Sequence, residues 1–283
     1  MKLSIKNLAS FMLVAAAFTV GGLTEANGQV FVDTFDAAPT NGATRSLSID
    51  NSTSSPAGTF PGSTFDVFGI VDRNVSPDFS DNSVELTNDG DPDTNDTFGL
   101  VTPDKDDFFL GFADTANTDN PDGNVNVTWT VDVSGQTDLM LLFDVAAIGD
   151  FEPADLLTFS ASFDGGTDTV VATGTGSDVD PFTYTLENGE LAIPFGQTDS
   201  NISDPFVFGD NIIVNEFERL AFPILETGTE LTLTLNYVGN GAPEILAVDN
   251  VQVTSAETSS IPEPASLVMT SLACVSLSLR RRR

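Results

Sequence analysis

The sequence contains no histidine and only one cysteine, and these absences remove much of the usual side-chain chemistry. Without histidine, the chain cannot form a Ser-His-Asp or Cys-His hydrolase, a histidine-ligated zinc site or a histidine general base. The single cysteine, Cys274, lies near the C terminus, so residues 30–260 contain neither a disulfide nor a thiol nucleophile. No glycine-rich phosphate loop precedes a predicted helix, so the sequence indicates no nucleotide cofactor.

Basic residues are scarce outside the two ends of the chain. Residues 30–260 contain 40 of the 42 acidic residues and only four basic ones, a formal balance of −36. Such a surface repels phosphate backbones and anionic lipids, which argues strongly against nucleic-acid binding and a peripheral membrane role and favours cations as partners. Thirty of these 40 acids are aspartate, which is common in loops and is a short oxygen ligand for metals.

Apolar residues are nevertheless plentiful enough to form a core, since residues 30–260 contain 20 phenylalanines. Strict alternation of apolar and polar residues predicts half-buried strands, and Asp164-Gly165-Gly166 predicts the turn of a hairpin. Strands are predicted at residues 30–36, 124–133, 139–145, 157–163, 168–172, 182–186, 206–214, 231–237 and 245–253. We therefore predict an all-β fold, an antiparallel β-sandwich of the jelly-roll kind.

The N terminus has the three parts of a secretory signal peptide. Lys2 and Lys6 precede an apolar segment at residues 8–20, and small residues follow it. A cut after Gly28 satisfies the small-residue rule, a cut after Ala26 is the second choice, and a retained N-terminal anchor is the alternative. We predict a signal helix within residues 1–28, removed by signal peptidase, then a β-sandwich domain at 29–254 and a polar linker at 255–260.

The last 23 residues combine a Pro-Glu-Pro motif, a 13-residue apolar segment at 267–279 and a basic end, in that order: Pro262, Glu263, Pro264, Arg280, Arg281, Arg282 and Arg283. The order resembles the sorting tail of PEP-CTERM proteins, exported proteins of Gram-negative-type bacteria. The resemblance implies recognition of residues 261–283 by an exosortase-like membrane protease, delivery to the cell envelope or extracellular matrix, and association with extracellular polysaccharide.

The apolar segment of this tail is shorter than the roughly 20 residues that span a bilayer as a helix. The terminal arginines can extend to the cytoplasmic interface while their stems stay in the apolar region. We therefore expect a short C-terminal apolar helix with transient membrane association. A plain membrane anchor that is not processed is the alternative interpretation.

An acidic segment at residues 88–96 places carboxylates at alternate positions in a turn-prone sequence: Asp89, Asp91, Asp93 and then Asp96. Such spacing lets one loop wrap oxygen ligands around Ca²⁺. The segment resembles the start of an EF-hand or dockerin loop, although Thr94 replaces the loop glycine and Leu100 the final glutamate. The sequence leaves open a calcium site and a solvated acidic turn.

A second group, Asp150, Glu152 and Asp155, is either a rim site for a cation or sugar hydroxyl or an exposed turn.

Two more aspartates are predicted to be buried. Asp33 lies between two phenylalanines of the opening strand, and Asp249 shares the alternating face of residues 245–253 if no bulge intervenes. A buried charge needs a cation, backbone donors or an arginine. One Ca²⁺ ion held by Asp33 and Asp249 would satisfy both residues, whereas a bulge that exposes Asp249 is the alternative. The opening and closing strands also resemble those of jelly-roll carbohydrate-binding or galactose-binding-like domains.

These observations predict a non-enzymatic, exported β-sandwich of the cell envelope or extracellular matrix, stabilised by calcium. One alternative is a calcium-dependent carbohydrate-binding module. Against this alternative, the chain offers few aromatic platforms for sugar rings, since Trp129 lies in the apolar phase of its strand and is predicted to belong to the core. The other alternative is a carboxylate- or metal-dependent polysaccharide hydrolase, because paired carboxylates can cleave glycosidic bonds. With 40 acids, chance supplies such pairs, and their abundance indicates no catalytic residue.

Overall fold

The computed structural model describes residues 27–54, 58–61, 66–72, 84–86, 108–177, 182–185, 192–194, 204–240 and 244–256. Within these ranges there is no helix long and apolar enough to cross a membrane. The described residues form fifteen strands: β1 (Asn27–Asp33), β2 (Thr44–Leu47), β3 (Val67–Asp72), β4 (Val84–Leu86), β5 (Phe108–Ala113), β6 (Val125–Asp132), β7 (Met140–Ile148), β8 (Leu156–Phe163), β9 (Thr169–Gly176), β10 (Ala192–Pro194), β11 (Phe206–Phe208), β12 (Asn211–Ile212), β13 (Glu218–Pro223), β14 (Glu230–Val238) and β15 (Ile245–Ala256).

Two antiparallel sheets account for most of these strands. The six-stranded sheet has the order β13-β7-β15-β5-β3, with β1 also paired to β15. The seven-stranded sheet has the order β12-β11-β9-β8-β14-β6-β2, and β4 pairs with β10. The predicted antiparallel β-sandwich is therefore confirmed. The two terminal helices predicted from the sequence lie outside the described residues.

The main core fills the space between the two sheets, as the alternating pattern predicts. In β6 and β14 every second side chain is fully buried, and the residues between them face outward. Trp129 is 0% exposed and stacks on Phe159 at 6.5 Å, and Phe159 packs on Phe143 at 4.6 Å. Such aromatic pairs contribute about 0.5–1.5 kcal/mol each beyond their buried area. Trp129 is thus a core residue, as predicted.

A second, smaller core covers the outer face of the six-stranded sheet. Its members come from β3, β5, β7 and β15 and from the segment at 182–185: Val67, Val71, Phe109, Ala113, Ala146, Ile148, Tyr184, Ile245 and Ala247. Because both faces of these strands are covered, β7 reads in the sequence as an almost continuous apolar run.

Several strand boundaries differ from the sequence prediction. Residues 206–214 form two short strands, β11 and β12, because Gly209 turns the chain with a φ of +61°. Phe182 and Tyr184 belong to no extended strand; their rings pack edge to face at 5.0 Å against the second core. Asn27 pairs with Ala256, so the two paired end strands extend beyond the predicted domain boundaries at 29 and 254.

A β-bulge interrupts β15 between Asp249 and Gln252. Asn250 has a φ of +48°, and the extra residue reverses the phase of the strand. Ala247 therefore lies in the outer core, whereas Val251 lies in the core between the sheets. The odd-numbered residues of 245–253 were predicted to share one face only if no bulge intervenes, and this condition is not met. Asp249 is nevertheless 0% exposed, so the bulge does not turn it out to water.

Candidate metal centre

Three carboxylates meet where two strand connections of the sandwich approach each other. Glu152 and Asp155 lie in the connection between β7 and β8, and Glu244 directly precedes β15. Each residue has a carboxylate oxygen within 4.8 Å of an oxygen of the other two. We refer to Glu152, Asp155 and Glu244 as the carboxylate triad.

The connection between β7 and β8 is held in shape by its own hydrogen bonds. The backbone N–H of Glu152 donates to Asp155 Oδ2 at 2.6 Å, and the N–H of Asp155 donates to the carbonyl oxygen of Glu152 at 2.8 Å. Phe151 is fully buried and its N–H donates to the carbonyl of Asp204 at 2.7 Å. The turn therefore has a fixed conformation, and Asp155 points into the protein.

Strand β9 passes so close behind this turn that only glycine fits at Gly176. A Cβ atom there would lie 2.1 Å from the carbonyl oxygen of Glu152 and 2.4 Å from that of Phe151. The N–H of Gly176 also donates to the carbonyl of Asp155 at 3.2 Å. The backbone that carries two of the three carboxylates is thus supported by the seven-stranded sheet.

Glu244 is the residue that distinguishes this cluster from an ordinary acidic turn. It is 1% exposed, and neither of its carboxylate oxygens accepts a hydrogen bond. The hydroxyl of Tyr237 is also buried without a hydrogen-bond partner. A buried carboxylate that lacks donors is costly, by several kcal/mol in real proteins. It requires either a bound proton or a cation.

The pKa values of Glu244, Asp155 and Tyr237 are all raised, as expected where no positive charge lies nearby. Burial, and then the charge of Asp155, raise the pKa of Glu244 to about 10. Burial also raises the pKa of Asp155 to about 6, with Glu152 adding to the shift. Burial, followed by the charges of Glu244 and Asp155, raises the pKa of Tyr237. The carboxylate triad therefore holds a proton near neutral pH unless a cation replaces it.

The basic side chains of the described ranges bind carboxylates other than those of the triad. Only Arg45 and Arg219 occur there. Arg45 Nη1 lies 2.5 Å from Asp33 Oδ1, and Arg219 binds Asp144 through Nε at 2.8 Å and Nη2 at 3.1 Å. Neutralisation of the triad by a described arginine or lysine is therefore excluded.

Asp33 and Asp249, the two buried aspartates predicted to share a cation, have separate surroundings. Asp33 accepts hydrogen bonds from Arg45, from Trp129 Nε1 at 2.7 Å and from the N–H of Phe35 at 3.0 Å. Asp249 pairs across the sheet with Asp144 and accepts the N–H of Asn250 at 2.5 Å. The bulge places them on different faces of the six-stranded sheet, so the structure does not bring them together.

Other predicted site residues lie outside the described ranges. These are the acidic loop, Asp89, Asp91, Asp93 and Asp96, and the sorting tail, Pro262, Glu263, Pro264, Arg280, Arg281, Arg282 and Arg283. Their roles remain predictions. Of the second acidic group, Glu152 and Asp155 enter the triad. Asp150 instead lies near Tyr184, where burial and then the Asp150 charge raise the tyrosine pKa.

Glu244 was not among the site residues predicted from the sequence. It follows Asp155 by 89 residues, and no local motif links the two. The available signal was its position directly before the long apolar strand at 245–253. An acid there stands out from a solvated turn residue only once a second acid is known to lie near it in space. Spatial proximity, which the fold creates, was the missing information.

Comparisons with known proteins give no match in sequence and a weak likeness in structure. No protein-family model matches the chain, and no curated protein is similar to it in sequence. One similar solved structure contains CBM22-1 and GH10 modules of a Clostridium thermocellum xylanase, at 9% identity and a TM-score of 0.33. That match covers 82% of this chain but only 29% of the longer xylanase chain.

Two other solved structures match over nearly their whole length. The CBM22-1 xylan-binding domain of Paenibacillus barcinonensis Xyn10C is 11% identical, with a TM-score of 0.32 and coverage of 82% of this chain and 97% of that one. A structure from a study of gut-microbiota O-glycanases is 11% identical, with a TM-score of 0.35 and coverage of 81% and 99%. At these TM-scores the likeness assigns neither a family nor a ligand to the chain.

Proposed function

We propose that this chain is a non-enzymatic, exported β-sandwich protein that binds one structural Ca²⁺ ion at the carboxylate triad. The observation that carries this proposal is the buried Glu244 carboxylate, whose oxygens accept no hydrogen bond although Glu152 and Asp155 lie within 4.8 Å. Three carboxylates attract a hard cation. Calcium suits them better than magnesium because it tolerates irregular oxygen geometry, whereas magnesium demands a near-ideal octahedron and retains several waters.

The position of the triad gives the ion a structural role. Glu152 and Asp155 connect β7 of the six-stranded sheet to β8 of the seven-stranded sheet. Glu244 lies between β14 and β15, which also belong to different sheets. An ion shared by these two connections therefore ties the sheets together. Since the triad exists only in the folded chain, the ion stabilises the fold by mass action.

Burial of Asp155 and Glu244, which leaves only Glu152 exposed in the triad, favours a structural role over catalysis. Asp155 and Glu244 are each 1% exposed, so a sugar ring cannot reach them in this conformation. A groove of about 170 Å³ beside β9 contains one carboxylate, Glu226, among mostly apolar lining residues. Glycoside hydrolysis of the common kind needs two carboxylates on opposite sides of the bond. Polysaccharide cleavage by the mature protein that is lost on a single Asp→Asn substitution would favour the hydrolase instead.

Thermal unfolding of the mature protein tests the calcium proposal. Millimolar CaCl₂ should raise the midpoint by about 5–10 °C over chelator at matched ionic strength, which corresponds to about 2.7 kcal/mol at a hundredfold excess over Kd. Glu244→Gln should abolish this shift, and Glu216→Gln, at an exposed acid, should leave it unchanged. Magnesium at the same concentration should give a smaller shift. Coincident midpoints with calcium and with chelator would show that the triad binds only protons.

The proposal includes export and sorting of the chain. Signal peptidase would remove the N terminus, and an exosortase-like membrane protease would process the C-terminal tail near Pro262-Glu263-Pro264, leaving the domain in the envelope or extracellular matrix. Because β1 begins at Asn27, a cut after Ala26 would leave the strand whole, whereas a cut after Gly28 would remove Asn27, the partner of Ala256. Mass spectrometry of the secreted protein distinguishes an N terminus at Asn27 from one at Gln29.

Replacement of the Pro-Glu-Pro motif tests the sorting step. We expect a variant with alanine at residues 262–264 to remain unprocessed in the native host, and a fusion of residues 261–283 to redirect an inert exported protein. Immunoblots of membrane and extracellular fractions follow both proteins. If the alanine variant matures and localises like the original, the tail is a plain anchor.

A further inference from the structure

The outer face of the seven-stranded sheet carries an ordered set of hydroxyl groups. Five neighbouring strands, β2, β6, β14, β8 and β9, direct serine and threonine side chains outward, because their alternate residues fill the core. We call this set the hydroxyl face: Thr44, Ser46, Thr128, Thr130, Thr158, Ser160, Ser162, Thr173, Thr232 and Thr234.

Strand register aligns these residues in rows across the sheet. One row runs through Thr44, Thr130, Thr232 and Ser162, and the next runs through Ser46, Thr128, Thr234 and Ser160. A third row contains Asn126, Asn236, Thr158 and Thr173. Neighbouring strands lie about 4.8 Å apart, and outward residues of one strand about 6.8 Å apart, so the groups form a regular grid.

The hydroxyls of the grid are available to a ligand, since the only row members that hydrogen-bond to each other among the described residues are two amides, Asn236 Nδ2 donating to Asn126 Oδ1 at 2.8 Å. Within the part of the chain that the structure describes, no side chain of the hydroxyl face makes a hydrogen bond with another group, although many such bonds occur elsewhere in it. Ser162 is only 5% exposed, so the accessible hydroxyls of the first row are those of Thr44, Thr130 and Thr232. Unused hydroxyls in fixed positions can exchange bound water for the hydroxyls of a ligand.

The charge of this face restricts the kind of ligand. Acidic residues make up about one in six of residues 30–260, yet the three rows contain none. Asp132 and Glu230 form a cross-strand pair that borders the first row. Anionic ligands would be repelled by the acidic surroundings, and a cationic ligand would find no carboxylate on the face itself. A neutral ligand fits.

We propose that the hydroxyl face binds a single chain of neutral polysaccharide, through repeated hydrogen bonds along its rows. A protein partner would require aromatic or arginine anchors, which the rows lack. A planar crystal such as ice matches a flat grid, but neighbouring strands rotate by roughly 20–25° each, so five strands present a twisted surface. A flexible chain can follow this twist. Many weak contacts along one polymer then add up to useful affinity.

Affinity electrophoresis of the calcium-saturated mature protein tests this surface. The probes are a neutral β-glucan, a neutral arabinoxylan and a galactomannan, with alginate as the anionic comparison. We expect at least one neutral polymer to retard the protein and alginate to have no effect. The double variant Thr128→Val/Thr234→Val, which removes two central hydroxyls and keeps the side-chain shape, should weaken retardation at least tenfold.

The control is Thr118→Val/Thr227→Val, which removes two exposed hydroxyls outside the rows and should bind like the original protein. Equal retardation of both double variants would place any binding elsewhere. Lack of retardation by all three neutral polymers would overturn the proposal and leave the threonines as ordinary strand residues. Shaping of ice crystals without polysaccharide binding would also overturn it. The calcium-dependent midpoint shift is a separate readout, so the proposed structural ion stands or fails independently.

Discussion

The protein buries carboxylates in two ways, and the difference between them is the positive charge that each receives. Asp33 is 1% exposed and is held by Arg45, and Asp144 forms a two-point contact with Arg219 beside Asp249. The carboxylate triad is buried as deeply at Asp155 and Glu244, but neither described arginine contacts it. The carboxylates bound by arginine therefore need no cation from the medium, whereas those of the triad need a proton or a cation from it.

This contrast follows from the composition. With four basic residues for 40 acids in residues 30–260, the chain can neutralise few buried carboxylates internally. Asp144 receives Arg219 from the paired strand β13, and Asp33 receives Arg45 from β2 of the facing sheet, whereas no described arginine reaches the triad at the strand connections. The aspartate–arginine pairs neutralise a buried carboxylate whether or not the medium contains calcium. The triad, in our proposal, couples the stability of the fold to external calcium.

The largest effect is expected when an arginine pair is broken. Arg45→Met leaves Asp33 as a buried charge without its ion-pair partner, while Trp129 and Phe35 still donate hydrogen bonds. We expect a loss of about 3–5 kcal/mol in the free energy of unfolding. Denaturant melts with calcium and with chelator should show the same loss. A loss that calcium restores would mean that Asp33 can also hold an ion.

The second prediction gives the triad an internal positive charge of the kind that the arginines give to Asp33 and Asp144. Glu244→Lys places an internal cation beside Glu152 and Asp155, which should replace the ion. We expect the calcium-dependent stabilisation of about 2.7 kcal/mol to vanish. Calorimetry with chelator should show a midpoint above that of the original protein under the same conditions. A variant that still responds to calcium by the full amount would locate the ion elsewhere, for example in the loop at residues 88–96.

A smaller effect is expected at the arginine-bound cluster. Asp249→Ala removes the acceptor of the Asn250 N–H but leaves the contact between Arg219 and Asp144 in place. We expect a loss of about 1–3 kcal/mol, the range for leaving a buried polar group unsatisfied. Urea melts measure it, and the loss should not depend on calcium. A loss below about 0.5 kcal/mol would match an ordinary surface substitution and contradict the burial of Asp249.

The pH dependence gives the finest distinction. The pKa of Glu244 is raised from 4.5 to about 10, so without calcium its contribution to stability is present below pH 4.5 and is lost as pH rises toward 10. Calcium must displace this proton, and its affinity should therefore rise about tenfold per pH unit, or about 1.4 kcal/mol, between pH 7 and 9. Calorimetric titration at three pH values measures this slope. An affinity independent of pH would mean that no proton is displaced.

The sequence predicted the fold better than the site. Alternation in β6, β8 and β14 identified those strands and the burial of Trp129, because period-two spacing follows directly from backbone geometry. The position of Asp249 depended on a bulge at Asn250 that no local pattern announces. Glu152 and Asp155 were singled out as a group, but their third partner was not, because loop contacts between distant strands have no sequence period.

By itself, the sequence determined the all-β class, the acidic surface, the absence of histidine and cysteine chemistry from residues 30–260, and the order of motifs in its terminal segments. These properties depend on residue type and local spacing alone. Tertiary structure decided which carboxylates receive an arginine, that Glu244 joins Glu152 and Asp155, and that ten hydroxyls form rows. These outcomes depend on strand register and on which connections meet, since the electrostatic cost of a buried charge is set by its neighbours in space.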